Sequence, residues 1–215
     1  QSPLLKETTT MRTLLTFVMM AATQDYPSTK SLARYLDENY GASLSTHITT
    51  KGKSHVINVT TSFVNDAYLP TKENLLEKQL QLLSDLFYRP LIVDNGFDET
   101  IVQLKKKELK EKLQANKDDK FSYSLDKLFE YMGRDQVLGI PSTGYENEIQ
   151  KITPQQLYQY MKKCIVEDEK HIYVVGDIPE NIVDIFQRLL QFPEQYYDYP
   201  SAYIFQSPRH ELLEV

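Results

Sequence analysis

Four histidines, His47, His55, His171 and His210, are the first residues with which this sequence could do chemistry. A catalytic zinc site takes three protein ligands, commonly including two spaced three or four apart on one helix face. No two of these histidines have that spacing. His47 and His55 flank Lys51-Gly52-Lys53, which reads as the turn of a β-hairpin. A three-residue loop would make them cross-strand neighbours, whereas a two-residue turn would put them on opposite faces. A third ligand is not evident, so they read as isolated strand or surface residues.

Other chemistries find less support. Cys164 follows Lys162 and Lys163, which would lower its pKa slightly, but it reads better as a small buried hydrophobe near a helix end. No Gly-x-Ser-x-Gly or Cys-His signature marks a nucleophile. Gly139 and Gly144 share a loop without the Gly-Lys-Ser/Thr ending of a phosphate cradle. Lys105-Lys106-Lys107 is followed by Glu108 and Glu111, the pattern of a solvated helix face. The 15 tyrosines suit binding surfaces or wet-edged packing better than catalysis.

The elements that would position such residues are legible. Thr8, Thr9 and Thr10 offer N-caps to a short, greasy helix reaching about Thr23, which contains "LLTFVMM". Ser28 or Thr29 caps a second helix whose Leu32, Tyr35 and Leu36 share a face, and Gly41 stands where a left-handed residue ends it. "ASLSTHITT" and "SHVINVTTSFV" form the hairpin strands. From Lys72 to Tyr88, Leu76, Leu80, Leu83 and Phe87 recur at helical spacing. A longer helix begins near Phe97-Asp98, with Val102, Leu109 and Leu113 on a narrow stripe. Another spans about Ser122 to Tyr131, and Thr153-Pro154 opens the helix "QQLYQYMKKC". "HIYVVGD" reads as a short buried strand, "IPENIVDIFQRLL" as a last helix, and Phe192 to Phe205 as an extended linker or edge strand. Helices, a hairpin, more helices and a late strand predict an α+β fold.

Composition sets the outer limits. With 41% apolar and 25% charged residues, the 215-residue chain reads as globular. A net charge of −6 argues against nucleic acid, which needs concentrated Lys and Arg. The longest apolar run is about half of what a bilayer crossing requires. A single Cys agrees with a reducing compartment, and a cytoplasmic, membrane-free protein is expected. The start at Gln1-Ser2-Pro3 suggests a piece of something longer.

The stretch "SLARYLDENYGASLSTHITTKGKSHVINVTTSFVNDAYL" resembles the pitrilysin/insulinase metallopeptidases, also called inverzincins. "FDETIVQLKKKELKEKLQ", "ITPQQLYQYMKKC" and "HIYVVGDI" continue the likeness in order, over most of residues 8 to 190. The resemblance implies the LuxS/mitochondrial-processing-peptidase-like metallohydrolase fold, with helices packed on one face of a mainly antiparallel sheet. Residues 1–191 would be a half domain lacking its first strand, and 192–215 a linker or edge strand toward an absent second half.

Active members of that family carry His-x-x-Glu-His on the helix before this segment, two His holding zinc and the Glu serving as general base. Counting back from Gly41-Ala42 puts Leu15, Val18 and Met19 at those three positions, and Glu99 or Glu108 near that of the third ligand. The resemblance is therefore to the family's non-catalytic subunits, with no cofactor expected here. Implied partners are the chain's own C-terminal half domain and an active pitrilysin-like zinc peptidase subunit. Ser45, Thr46 and His47 fall where active relatives pair their backbone with an extended substrate, which makes them a candidate peptide-binding strand. Two alternatives stay open: an active metallopeptidase using His47, His55 and Glu111, and a free-standing peptide-binding module.

Overall fold

A computed structural model describes residues 1–193, apart from Lys72 and Asp135. The chain opens with β1 (Ser2–Pro3) and α1 (Lys6–Met19), then α2 (Thr29–Glu38) and the hairpin strands β2 (Ser43–Lys51) and β3 (Ser54–Ser62). After α3 (Leu75–Tyr88) come β4 (Ile92–Val93) and β5 (Gly96–Phe97), a two-strand ribbon turned by left-handed Asp94 and Asn95. Five helices complete the described residues: α4 (Glu99–Asp118), α5 (Lys120–Met132), α6 (Glu146–Ile149), α7 (Pro154–Glu167) and α8 (Ile182–Leu190). The fold is α+β, with an antiparallel sheet in the order β1-β3-β2.

Local chemistry explains most boundaries. Ser28 and Ser31 form a capping box for α2, and Thr153 and Gln156 form one for α7, with Pro154 at the first helical position. After the C-cap Asn39, Tyr40 and then Gly41 lead the chain out of α2 in left-handed conformations, at φ +59° and +69°; glycine adopts such a conformation without strain. Asp98 caps α4 by accepting from the Ile101 amide at 3.0 Å. Lys51 pairs with Ser54, so only Gly52 and Lys53 form the hairpin turn. His47 therefore faces Asn58 and His55 faces Thr50, which puts the two imidazoles on opposite sides of the sheet.

The structure corrects several expectations. Leu5, not a threonine, occupies the N-cap of α1, which ends at Met19. The threonines bond within and beneath the helix: Thr9 and Thr13 donate to the Leu5 and Thr9 carbonyls, and Thr10 donates to Glu148 at 2.8 Å while accepting from the Tyr145 amide. Gly144 lets that loop approach, since a Cβ there would lie 2.5 Å from the Thr10 Cα. Lys106 is buried and reaches the Gln150 carbonyl at 3.4 Å, so the lysine run is not wholly a solvated face. Residues 171–175 belong to no strand, and Tyr173 and Val175 are 86% and 98% exposed. The linker expected at 192–205 lies almost entirely outside the described residues.

The core lies under the sheet. Leu14, Leu15 and Val18 of α1 pack with Val102, Leu109 and Leu113 of α4 and Leu157 and Met161 of α7.

Candidate functional site

Helical geometry puts residues i, i+3 and i+4 on one face, so α1 presents Leu15, Val18 and Met19 together. All three are buried, at 2%, 2% and 3% exposure, and Leu15 and Val18 belong to the main core cluster. Glu99 accepts from Gln103 at 2.6 Å, and Glu108 holds Lys105 at 2.8 and 3.1 Å, both within α4. The alternative ligand set is not assembled: besides the separation of His47 from His55, Glu111 is exposed and pairs with Lys107 at 3.9 Å.

One turn before Leu15 stands a residue that the sequence reading passed over. Arg12 is the only charged side chain between Glu7 and Asp25, and it is fully buried. It donates to Asp168 at the end of α7 and to the Cys164 Sγ at 3.4 Å. Burial alone would lower its pKa, but the hydrogen bond and charge of Asp168 raise it above the ordinary value. A lone charge inside an oily helix is a signal, because a buried guanidinium requires a partner. Burial pushes the Cys164 thiol up to about 11, which keeps it protonated and unreactive at neutral pH.

His55 lies nearby, buried, with Nε2 2.9 Å from the Ser142 carbonyl, so Nε2 must carry the proton and donate. Its Nδ1 has no hydrogen-bond partner among the described residues. Burial, with Arg12 adding repulsion, lowers the imidazole pKa to about 4. The unfolded chain therefore takes up this proton first as pH falls. The contribution of neutral His55 to stability is full above about 6.5 and is lost progressively toward 4, by on the order of 3 kcal/mol. Urea midpoints between pH 7 and 4 should fall more steeply for the wild type than for His55→Gln; parallel curves would contradict this.

β2 is an outer strand of the sheet. The Leu4 amide donates to the Lys53 carbonyl at 2.8 Å, which fixes the alternation along the hairpin. Residues 43, 45, 47, 49 and 51 then bond to β3, while the backbone groups of Leu44, Thr46, Ile48 and Thr50 point outward. The Ser45 and His47 side chains are exposed, and the Thr46 hydroxyl donates to the Thr16 carbonyl of α1 at 2.8 Å.

No protein-family profile matches the chain. It is 37% identical over 182 residues to the Probable inactive metalloprotease YmfF of Bacillus subtilis, a match covering 85% of this chain and 43% of that protein. The chain is a pitrilysin-like metallopeptidase homologue. A conserved protein from Enterococcus faecalis superposes on this pitrilysin-like chain with a TM-score of 0.83 at 31% identity, covering 89% of this chain and 45% of that one. The first half of the periplasmic protease PqqL from Escherichia coli gives a TM-score of 0.68 at 14% identity, covering 94% and 42%, which speaks to the fold alone. The chain thus spans under half the length of these relatives.

The pitrilysin-like fold implies zinc, and the three residues that the resemblance puts at the motif positions do not fit it. Leu15 and Val18 carry no donor atom, and the Met19 thioether is a soft ligand suited to other metals. Among the described residues, no three His, Cys, Asp or Glu side chains converge to hold an ion. No helix among them is long and apolar enough to cross a membrane.

Proposed function

We propose that this chain is the N-terminal half domain, residues 1–191, of a cytoplasmic, non-catalytic pitrilysin-like protein. Residues 192–215 lead toward its own second half domain. Its role is to scaffold or regulate an active zinc peptidase of the same family, and to hold an extended peptide along β2. The observation that supports this reading is the burial of Leu15, Val18 and Met19, the residues that the resemblance puts at the places of two metal ligands and the general base. Hydrolysis of an amide by activated water needs groups that these side chains lack.

A partner role is also supported by α5. None of its residues is buried, and Phe121, Leu125, Leu128, Phe129 and Met132 form an exposed apolar stripe at helical spacing. Such a stripe exceeds the scattered apolar residues of an ordinary surface and suits contact with another polypeptide. Strand addition along β2 requires only outward backbone groups, which Leu44, Thr46 and Ile48 supply without any metal.

The test is purification of the full-length protein from its native cells. A companion peptidase carrying His-x-x-Glu-His is expected with it, and Phe121→Glu with Phe129→Glu should loosen the pair at least tenfold. Thr46→Pro removes an outward amide while sparing the bonds to β3, and should abolish peptide capture. Peptide hydrolysis by the full-length protein alone would overturn the proposal.

A further inference from the structure

α5 is held at its two ends and left bare along one side. Asp119, which ends α4, caps it by accepting from the Phe121 and Ser122 amides at 3.1 and 3.3 Å. At the other end, Gly133 lies so close to the turn Val137–Gly139 that a Cβ on it would stand 2.1 Å from the Gly139 nitrogen. One face satisfies its own charges: Lys127 pairs with Glu130 at 2.5 Å and lies over the Tyr123 ring, 5.6 Å from its centroid. At about 100° per residue, Phe121, Leu125, Leu128, Phe129 and Met132 lie on the opposite face, with Tyr131 at its border. We infer that this face is covered, when no peptidase is bound, by the same face of a second copy of the protein, as an antiparallel helix pair.

The stripe is its own complement. Phe121, Leu125, Leu128 and Met132 follow at spacings of four, three and four, the same when read from either end. A two-fold axis crossing the helix between Asp126 and Lys127 therefore sets Phe121 of one copy opposite Met132 of the other, and Leu125 opposite Leu128. The axis also keeps each edge of the stripe against the same edge of the other copy. Phe129 then falls beside Ser122, and Tyr131 beside Ser124, a bulky side chain against a small one on both edges. Asp126 and Lys127 each come nearest to their own counterpart, but they point away from the stripe, where water and salt screen them.

Area also argues for a second copy. Phe121, Tyr131 and Met132 are 74%, 63% and 60% exposed, and Leu125, Leu128 and Phe129 are 38% to 47% exposed. With aromatic side chains of roughly 200 Å² each, the six offer on the order of 600 Å² per copy, so that two copies bury about 1,200 Å², the lower bound of a stable interface. Such a face is costly to leave in water, and a helix fixed at both ends loses little freedom when it is covered. The inference rests on the reading of α5 as a docking face and names its occupant in the free protein. Because one helix face cannot serve two partners at once, self-pairing holds the protein in reserve until a peptidase displaces the second copy.

Sedimentation of the purified full-length protein tests it. A dimer with a dissociation constant in the micromolar range is expected, as an interface at the small end of the standard size allows. Ser124→Tyr sets two tyrosines against each other at one edge and should weaken the dimer by roughly tenfold or more. Adding Tyr131→Ser to the same chain exchanges large for small and should restore it. Both positions are exposed, so neither change threatens the fold. A monomeric wild type would overturn the inference, and so would a dimer that Ser124→Tyr leaves intact or that Tyr131→Ser does not restore. The companion peptidase is scored separately on Phe121→Glu with Phe129→Glu. If the companion is loosened while the wild type never self-pairs, only the second copy is refuted; if the wild type self-pairs and the companion is untouched, the docking of the peptidase on α5 is refuted instead.

Discussion

Replacement of Val18 by glutamate, at the position that the resemblance gives to the general base, is expected to destabilise the domain by more than about 3 kcal/mol and to yield no peptidase activity. Val18 is 2% exposed and packs in the cluster that joins α1 to α4 and α7. A carboxylate there must either lose its hydration or stay protonated with a strongly raised pKa, and either choice penalises the folded state. Val18→Ala provides the control. It removes two carbons' worth of burial, about 1.6 kcal/mol plus a cavity term, without adding charge. Urea midpoints of the two variants should differ by more than the control's own loss, and the gap should widen as pH rises above the ordinary carboxylate range. A Val18→Glu variant as stable as the Val18→Ala control would show that water reaches this face of α1.

The second large effect is expected at Asp168. Its removal as Asp168→Ala strands the Arg12 guanidinium in the interior, at a cost of about 3 to 5 kcal/mol. Replacing both partners, with Arg12→Met and Asp168→Leu, should recover most of that loss, because a buried pair offsets its own desolvation only in part. The comparison decides whether the pair is a stabiliser or a device for register. In the latter case the double variant matches the wild type in midpoint while losing the uniqueness of the α1–α7 packing, read as broadened side-chain resonances. Additive single effects in the double variant would contradict the coupling.

The parts of the fold that sequence reading reached are those written in local chemistry. Ser28, Thr153-Pro154 and the apolar stripe of α4 act through their near neighbours, and the structure places each in its expected role, while Gly41 is left-handed as expected but one residue beyond Tyr40, which takes the position directly after the C-cap. Where the reading failed, the decisive partner is distant. Thr8 to Thr10 resemble caps in sequence, yet Thr10 serves the start of α6, whose Glu148 lies 138 residues away. Arg12 draws its meaning from Asp168, and residues 171–175 lie exposed despite an apolar pattern. The α3 stripe of Leu76, Leu80, Leu83 and Phe87 was legible as a face, but not that it borders a cavity of about 660 Å³ while Leu75, Leu82 and Leu86 form a deeper side.

The site itself was legible only as a substitution. No spacing rule identifies Leu15, Val18 and Met19 as special, since oily residues on a helix are the ordinary core pattern. Only the surrounding order of segments gives those positions a meaning. The burial of all three then shows that the place is packed rather than open.

The most direct measurement is anomalous diffraction from crystals of the intact protein soaked in zinc, with peptide hydrolysis assayed on the same preparation. No peak is expected within coordination distance of Leu15 or Met19, and no turnover without a companion subunit. A strong peak beside those side chains, together with cleavage by the protein alone, would contradict the claim that this helix has given up its metal chemistry.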